Sequence, residues 1–190
     1  MPTNDDGELM ARLCGGEDRA LDALMDRWQM PLRRFLYRYL HNEADACDVA
    51  EQTFVRIYRH REKYRPGAKF STWMFSIALN LCRDHARHGR SRPVVSLDHE
   101  ALGAAMDRAS ADAPSSSPDV DLLRAETAAA VRSAIEVLPE PLRAAVLLCE
   151  YEELSHSEAA AAVGCSAKAI ETRLYRARQM LRNTLKPQKI

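Results

Sequence analysis

Apolar side chains between Glu17 and Leu40 fall at Ala20, Leu21, Leu24, Trp28, Leu32, Phe35, Leu36 and Tyr39. The spacing follows one face of a helix with about 3.6 residues per turn, which predicts a long amphipathic helix, kinked where Pro31 lacks a backbone donor. The next stretch, DACDVAEQTFVRIYRHREKY, repeats the pattern with Ala46, Ala50, Thr53, Phe54, Ile57 and Tyr58 on one side. Its other side carries Asp45, Asp48, Glu51, Gln52 and Val55, a polar face with one apolar residue in it. RPGAKFSTW then turns the chain into a third helix, with Ser71 placed to cap it.

That third helix changes character along its length. Phe70, Trp73, Met74, Ile77, Ala78 and Leu81 form an apolar stripe. Thr72, Ser76, Asn80, Arg83, Arg87 and Arg90 form a second stripe that turns basic toward its end. On periodicity alone this is an amphipathic helix with a solvated basic face.

Residues 96–121 are rich in Ser, Ala, Asp and Pro and contain no aromatic side chain. Such a stretch buries too little to offset its ordering entropy, so it is expected to be a flexible tether. The chain therefore divides into a lobe over residues 1–92, an acidic linker over 93–121 and a smaller lobe over 122–190. With almost no period-2 alternation and few β-branched residues, the fold class is all-α, two small helical domains.

The second lobe carries clearer punctuation. Pro139 and Pro141 separate its first two helices, with Pro141 in a favoured first-turn position. Ser155 followed by Glu158 is a capping box, and Gly164 ends the short helix that it starts. Ser166 caps a final helix that buries Ile170, Leu174, Ala177 and Leu181, leaving Lys168, Glu171, Thr172, Tyr175, Arg176 and Arg178 on its other surfaces. A short Ala-rich helix, a turn with Gly and a longer basic helix form a helix-turn-helix, the pattern of a duplex-DNA reader.

Charge sharpens the picture. The 190 residues have a formal net charge of zero, yet the bases concentrate in two zones. One runs from Arg56 to Arg92, the other from Lys168 to Lys189, with acids at the front and between Asp98 and Glu126. Two basic zones flanked by acidic segments imply two contacts with one polyanion. No apolar run approaches the roughly 20 residues that cross a bilayer, and the amino terminus has no signal-peptide pattern, so no membrane insertion is expected. Cys14, Cys47, Cys82, Cys149 and Cys165 are odd in number and scattered, which fits a reduced cytoplasm, not a disulfide framework or a zinc site. Most are expected to be small buried hydrophobes.

With these motifs in order, the whole chain resembles the extracytoplasmic-function group of bacterial RNA polymerase sigma factors. ADACDVAEQTFVRIYRHREKYRPGAKFSTWMFSIALNLCRDHARHGR is similar to their region 2, and LPEPLRAAVLLCEYEELSHSEAAAAVGCSAKAIETRLYRARQMLR to their region 4. The resemblance implies an alternative sigma factor without catalytic activity or cofactor. Its partners would be core RNA polymerase (the β′ coiled coil and the β subunit), promoter DNA and an anti-sigma factor.

By this resemblance Asp48, Glu51, Gln52 and Val55 bind the polymerase, although Glu51-Gln52 inverts the Gln-Glu order of many relatives. Arg61, Lys63, Tyr64, Lys69, Phe70, Trp73, Ser76, Asn80, Arg83 and Arg87 are the candidates for the −10 element. Melting needs pockets for unstacked bases and cations for the released strand, and this segment offers both. Phe70 and Trp73 are open to two readings, core packing and base contact. Lys168, Glu171, Thr172, Arg173, Tyr175, Arg176 and Arg178 are the candidates for the −35 element. Glu171 is also open to two readings: accepting from a cytosine amine, or pairing with Lys168.

Two other classes compete. A one-component regulator would join the helix-turn-helix to a ligand-sensing helical domain, for which the sequence shows no sign. An enzyme would need clustered chemistry. His41, His60, His85, His88, His99 and His156 lack metal-ligand spacing with carboxylates, and His85 and His88 are read as solvated or phosphate-facing. GGED at 15–18 has no strands to present it and reads as a turn and helix start.

Overall fold

The computed structural model describes residues 5–89 and 118–185, and most of the predicted linker lies outside them. The described residues are helical, without strands. The first lobe comprises α1 (Asp5–Cys14), α2 (Arg19–Leu40), α3 (Glu43–Arg59), a 3-10 turn (Arg61–Lys63) and α4 (Phe70–Gly89). The second comprises α5 (Pro118–Glu136), α6 (Glu140–Val146), a π-helical turn (Leu147–Tyr151), α7 (His156–Val163) and α8 (Ala167–Thr184).

The predicted core is present. Leu24, Leu32, Phe35 and Leu36 of α2 are buried against Ala46, Ala50, Phe54 and Ile57 of α3 and Phe70, Met74 and Ala78 of α4. Phe75 sits at the centre, its ring 4.7 Å from Phe35 and edge-on to Trp28. The apolar stripe read along α4 omitted Phe75, Leu79 and Cys82, yet all three are buried. A surface helix needs one apolar face; α4 is covered by α3 on one side and α7 on another.

Helix α1 was not anticipated. Leu9, Met10 and Leu13 bury it, and the Asp6 carboxylate pins it, accepting from Trp28 Nε1 at 3.1 Å and pairing with Arg27. A carboxylate this deep needs both partners to offset its lost hydration. Gly15 and Gly16 turn the chain from α1 toward α2, as read, with Gly16 at φ +92°.

α2 continues through Pro31 as one helix of 22 residues. Several local readings are corrected. Ser71 does not cap α4: the helix already begins at Phe70, leaving the Ser71 side chain inside the first turn and buried. The cap that sequence reading overlooked is Asn42, whose side chain accepts from the Asp45 amide and starts α3. α5 reaches back to Pro118, so residues 118–121 are helix, not tether. Of the five cysteines, all free, only Cys82 is buried; Cys14 is exposed and the others are half-buried. Burial pushes the Cys82 thiol up to about 12.

The caps of the second lobe are as expected. Ser155 and Glu158 close a reciprocal capping box at α7, Gly164 ends it at φ +78°, and the Ser166 hydroxyl accepts from the Ala169 amide to start α8. Ile170, Leu174 and Ala177 are buried, while Leu181 is only partly so.

The two lobes touch. α7 packs on α4, and the start of α6 and the π-helical turn pack on the end of α2. Arg143 Nη1 donates to the Tyr39 carbonyl at 3.0 Å, and the Arg38 guanidinium lies 4.6 Å above the Tyr151 ring.

Candidate nucleic-acid interface

On α3, periodicity places Asp48, Glu51, Gln52 and Val55 away from the buried side, and all four are exposed. Val55 keeps 48% of its surface, a large share for an aliphatic side chain. Beside it an apolar groove between α2 and α3 is lined by Leu21, Met25, Ala50, Phe54 and Tyr58, with Arg33 and Glu51 at its edge. A polar rim around an apolar centre has the make-up of a protein-docking surface.

The −10 candidates divide into three groups. Phe70 is in the core, 2% exposed, its ring 6.0 Å from Trp28, so core packing is the reading that holds for it. Tyr64 is 8% exposed, its hydroxyl donating to the Ala68 carbonyl, and burial raises its pKa. Arg61 is turned back: it donates to the Tyr58 carbonyl at 2.8 Å and lies over the Tyr58 ring. These three shape the loop from within.

The second group faces a shallow pocket. Lys63, Lys69, Trp73 and Ser76 line it together with the Tyr64 edge. Trp73, half-buried, packs 5.3 Å from Tyr64. The Thr72 hydroxyl lies there too, buried without a hydrogen-bond partner among the described residues. An aromatic edge, hydroxyls and two lysines provide stacking, hydrogen bonding and charge in one place.

The third group runs along α4: Asn80 and Arg87 are exposed and Arg83 is half-buried. Arg87 pairs with Asp84 at 3.0 Å. Arg83 reaches out of the lobe, its Nε 3.4 Å from Glu140 at the start of α6. His85, read as solvated, lies with Nε2 3.4 Å from Asp45.

On α8 the −35 candidates project outward. Lys168, Glu171, Thr172, Tyr175, Arg176 and Arg178 are exposed, while Arg173 is half-buried. Lys168 donates to Glu171 at 2.8 Å, and that bond holds the Glu171 carboxyl below the ordinary range. Tyr175 is 64% exposed, and its hydroxyl accepts from Gln179 at 2.6 Å. Arg178 is held by Glu150 at 2.6 Å. Gln179, Glu140 and Glu150 were not singled out from sequence, since the two glutamates act across long separations that leave no local pattern.

Two helical lobes, one ending in a basic helix beside an aromatic pocket and the other in a helix-turn-helix, have the make-up of a nucleic-acid-binding protein. The Sigma-70 region 2 model matches residues 24–92 and the Sigma-70 region 4 model residues 128–181. The RNA polymerase sigma-H factor of Pseudomonas aeruginosa is 33% identical over 186 residues, 96% of this chain and 94% of that protein. The ECF RNA polymerase sigma-E factor of Escherichia coli K12 is 32% identical over 184 residues, 96% of this chain and 95% of its own length. Among solved structures, CnrH in complex with the cytosolic domain of CnrY aligns with a TM-score of 0.67 at 27% identity, covering 95% of this chain and 97% of that one. The sigma factor RpoE in complex with the anti-sigma factor NepR from Bartonella quintana shares the fold, with a TM-score of 0.63 at 22% identity, over 88% of this chain and 99% of its own. The chain belongs to the extracytoplasmic-function group of sigma-70 factors and is an alternative sigma factor. Both lobes match regions of one family, so the one-component regulator is not favoured.

Proposed function

We propose that this chain binds core RNA polymerase through Asp48, Glu51, Gln52 and Val55 on α3, with the β′ coiled coil as the docking partner. The pocket of Lys63, Lys69, Trp73 and Ser76 takes an unstacked base of the −10 element, while Asn80, Arg83 and Arg87 follow the released strand. Lys168, Glu171, Thr172 and Tyr175 meet the −35 element in the major groove, with Arg173, Arg176 and Arg178 near the phosphates. The role is non-catalytic and cytoplasmic, and an anti-sigma factor controls it, as the anti-sigma complex of the Bartonella quintana factor suggests.

The observation that carries this reading is the arrangement of exposed groups along the chain. A polar-rimmed apolar face on α3, an aromatic and basic pocket at the start of α4 and a basic helix, α8, follow one another along the chain. Reconstitution with core polymerase and genomic DNA, with mapping of transcript starts, tests it. New starts should share two upstream sequence elements at constant spacing. Starts identical to those of core polymerase alone would overturn the reading.

A further inference from the structure

Gln179 lies one turn beyond Tyr175 on α8, and both side chains are exposed. Its amide Nε2 donates to the Tyr175 hydroxyl at 2.6 Å. At helical spacing Gln179 shares the stripe of Lys168, Glu171, Thr172 and Tyr175, the groups assigned to the −35 base edges. Another hydroxyl stands on that stripe. Thr172 Oγ1 donates its proton to the Lys168 carbonyl at 2.9 Å, so it turns only lone pairs outward. Tyr175 is set the opposite way. With Gln179 on the acceptor side of the oxygen, the phenol has its own proton left to give.

We propose that Gln179 is a positioning residue for −35 recognition: its bond makes the Tyr175 hydroxyl a donor, which selects a base with a major-groove acceptor and rejects cytosine. This rests on the −35 assignment made above. In the major groove purine N7, guanine O6 and thymine O4 accept, whereas cytosine presents its N4 amine, a donor. Two donors that face each other are both left unpaired once the groove has shed its water, and that is the costly arrangement. A free phenol would escape by turning its O–H away and accepting from the amine. Bonded to Gln179, it cannot do so without losing that partner.

The pair is weak in water, as i, i+4 contacts on an exposed helix face are. It gains weight on docking, because Gln179 replaces the water that the phenol oxygen gives up. Tyr175 is 64% exposed, so its ring is free to make that approach.

The test uses the full chain reconstituted with core polymerase, in competition binding to promoters that carry each base pair at each −35 position. Wild type should bind cytosine at one position about fivefold more weakly than guanine or thymine, within the reach of one hydrogen bond. Tyr175→Phe should flatten that preference below about twofold and leave the other positions unchanged. Gln179→Met keeps side-chain length and helix propensity but has no donor, and should flatten the same position. Gln179→Glu takes the phenol proton instead, so cytosine should rise at least to parity with guanine. With Tyr175→Phe in place, neither Gln179 substitution should change the ranking. The proposal is overturned if Gln179→Met or Gln179→Glu keeps the wild-type ranking, or if their effects persist with Tyr175→Phe. A uniform loss across all promoters in Tyr175→Phe would also overturn it, since that marks a phosphate contact. The −35 assignment itself fails, and the proposal with it, if the wild-type complex is indifferent to every base of that element.

Discussion

The Lys168 ammonium lies 2.8 Å from the Glu171 carboxylate one turn further along α8, and both side chains are well exposed. An ammonium held by a neighbouring carboxylate has fewer rotamers to lose when it meets a base edge, and its position is set before contact. Glu171 is therefore expected to act on −35 recognition through Lys168. Glu171→Ala and Lys168→Ala should each change the preference at the same −35 base pair, and the double variant should cost less than the product of the two. Base-substituted promoters measured by mobility shift give the cycle. Multiplicative effects at two different base pairs would instead establish direct readout by Glu171.

On α3, Asp48 and Gln52 stand one turn apart on the exposed face beside Val55. Replacing both with Arg inverts the charge of that face without touching the core. The double variant should lose co-purification with core polymerase and keep its helical circular dichroism. Retained co-purification would remove α3 as the docking element.

Where the lobes meet, burial pushes the Glu152 carboxyl up to about 7, against the pull of Arg38 and Arg34. A carboxyl raised above its ordinary 4.5 favours the folded state when protonated. Its contribution is complete below about pH 4.5 and is lost as pH rises through about 7. Glu152→Gln should therefore match wild type near pH 5 and exceed it near pH 8 by about 2–3 kcal/mol. Urea denaturation at the two pH values checks this, and parallel profiles would count against it.

Gly164 ends α7 at φ +78° with open space where a Cβ would go. The cost of Gly164→Ala is thus conformational, about 1–2 kcal/mol. Phe75→Ala, at the crossing of the Phe35 and Trp28 rings, should cost about 3–5 kcal/mol through the cavity that it leaves. Denaturant midpoints should rank the two in that order.

Helix positions and most caps were legible because their causes are local. Alternation of apolar faces, Ser155 with Glu158, Gly164 and Ser166 all act within a turn or two. The outward faces of α3 and α8 followed from the same periodicity. What the pattern hid was depth. Phe70 and Trp73 occupy the same stripe, but Trp28 covers Phe70 while Trp73, at the margin of the core, packs beside Tyr64 and lines a shallow pocket. Tyr39 and Glu140 stand 101 positions apart, and nothing near either residue signals the other. Arg61 reads as one more base in a basic run, yet its guanidinium is spent on the end of α3.

The two oxygens of Glu158 have separate employments: Oε2 accepts from the Ser155 amide at 2.7 Å, while Oε1 faces Lys69. Mutation at this codon is consequently read by two processes with different tolerances. Glutamine satisfies helix initiation and forfeits the charge; aspartate keeps the charge but is one methylene too short to span both partners; alanine loses both. A lineage can therefore relax the contact between the lobes in a single step without unfolding the second lobe, whereas restoring it requires one particular side chain.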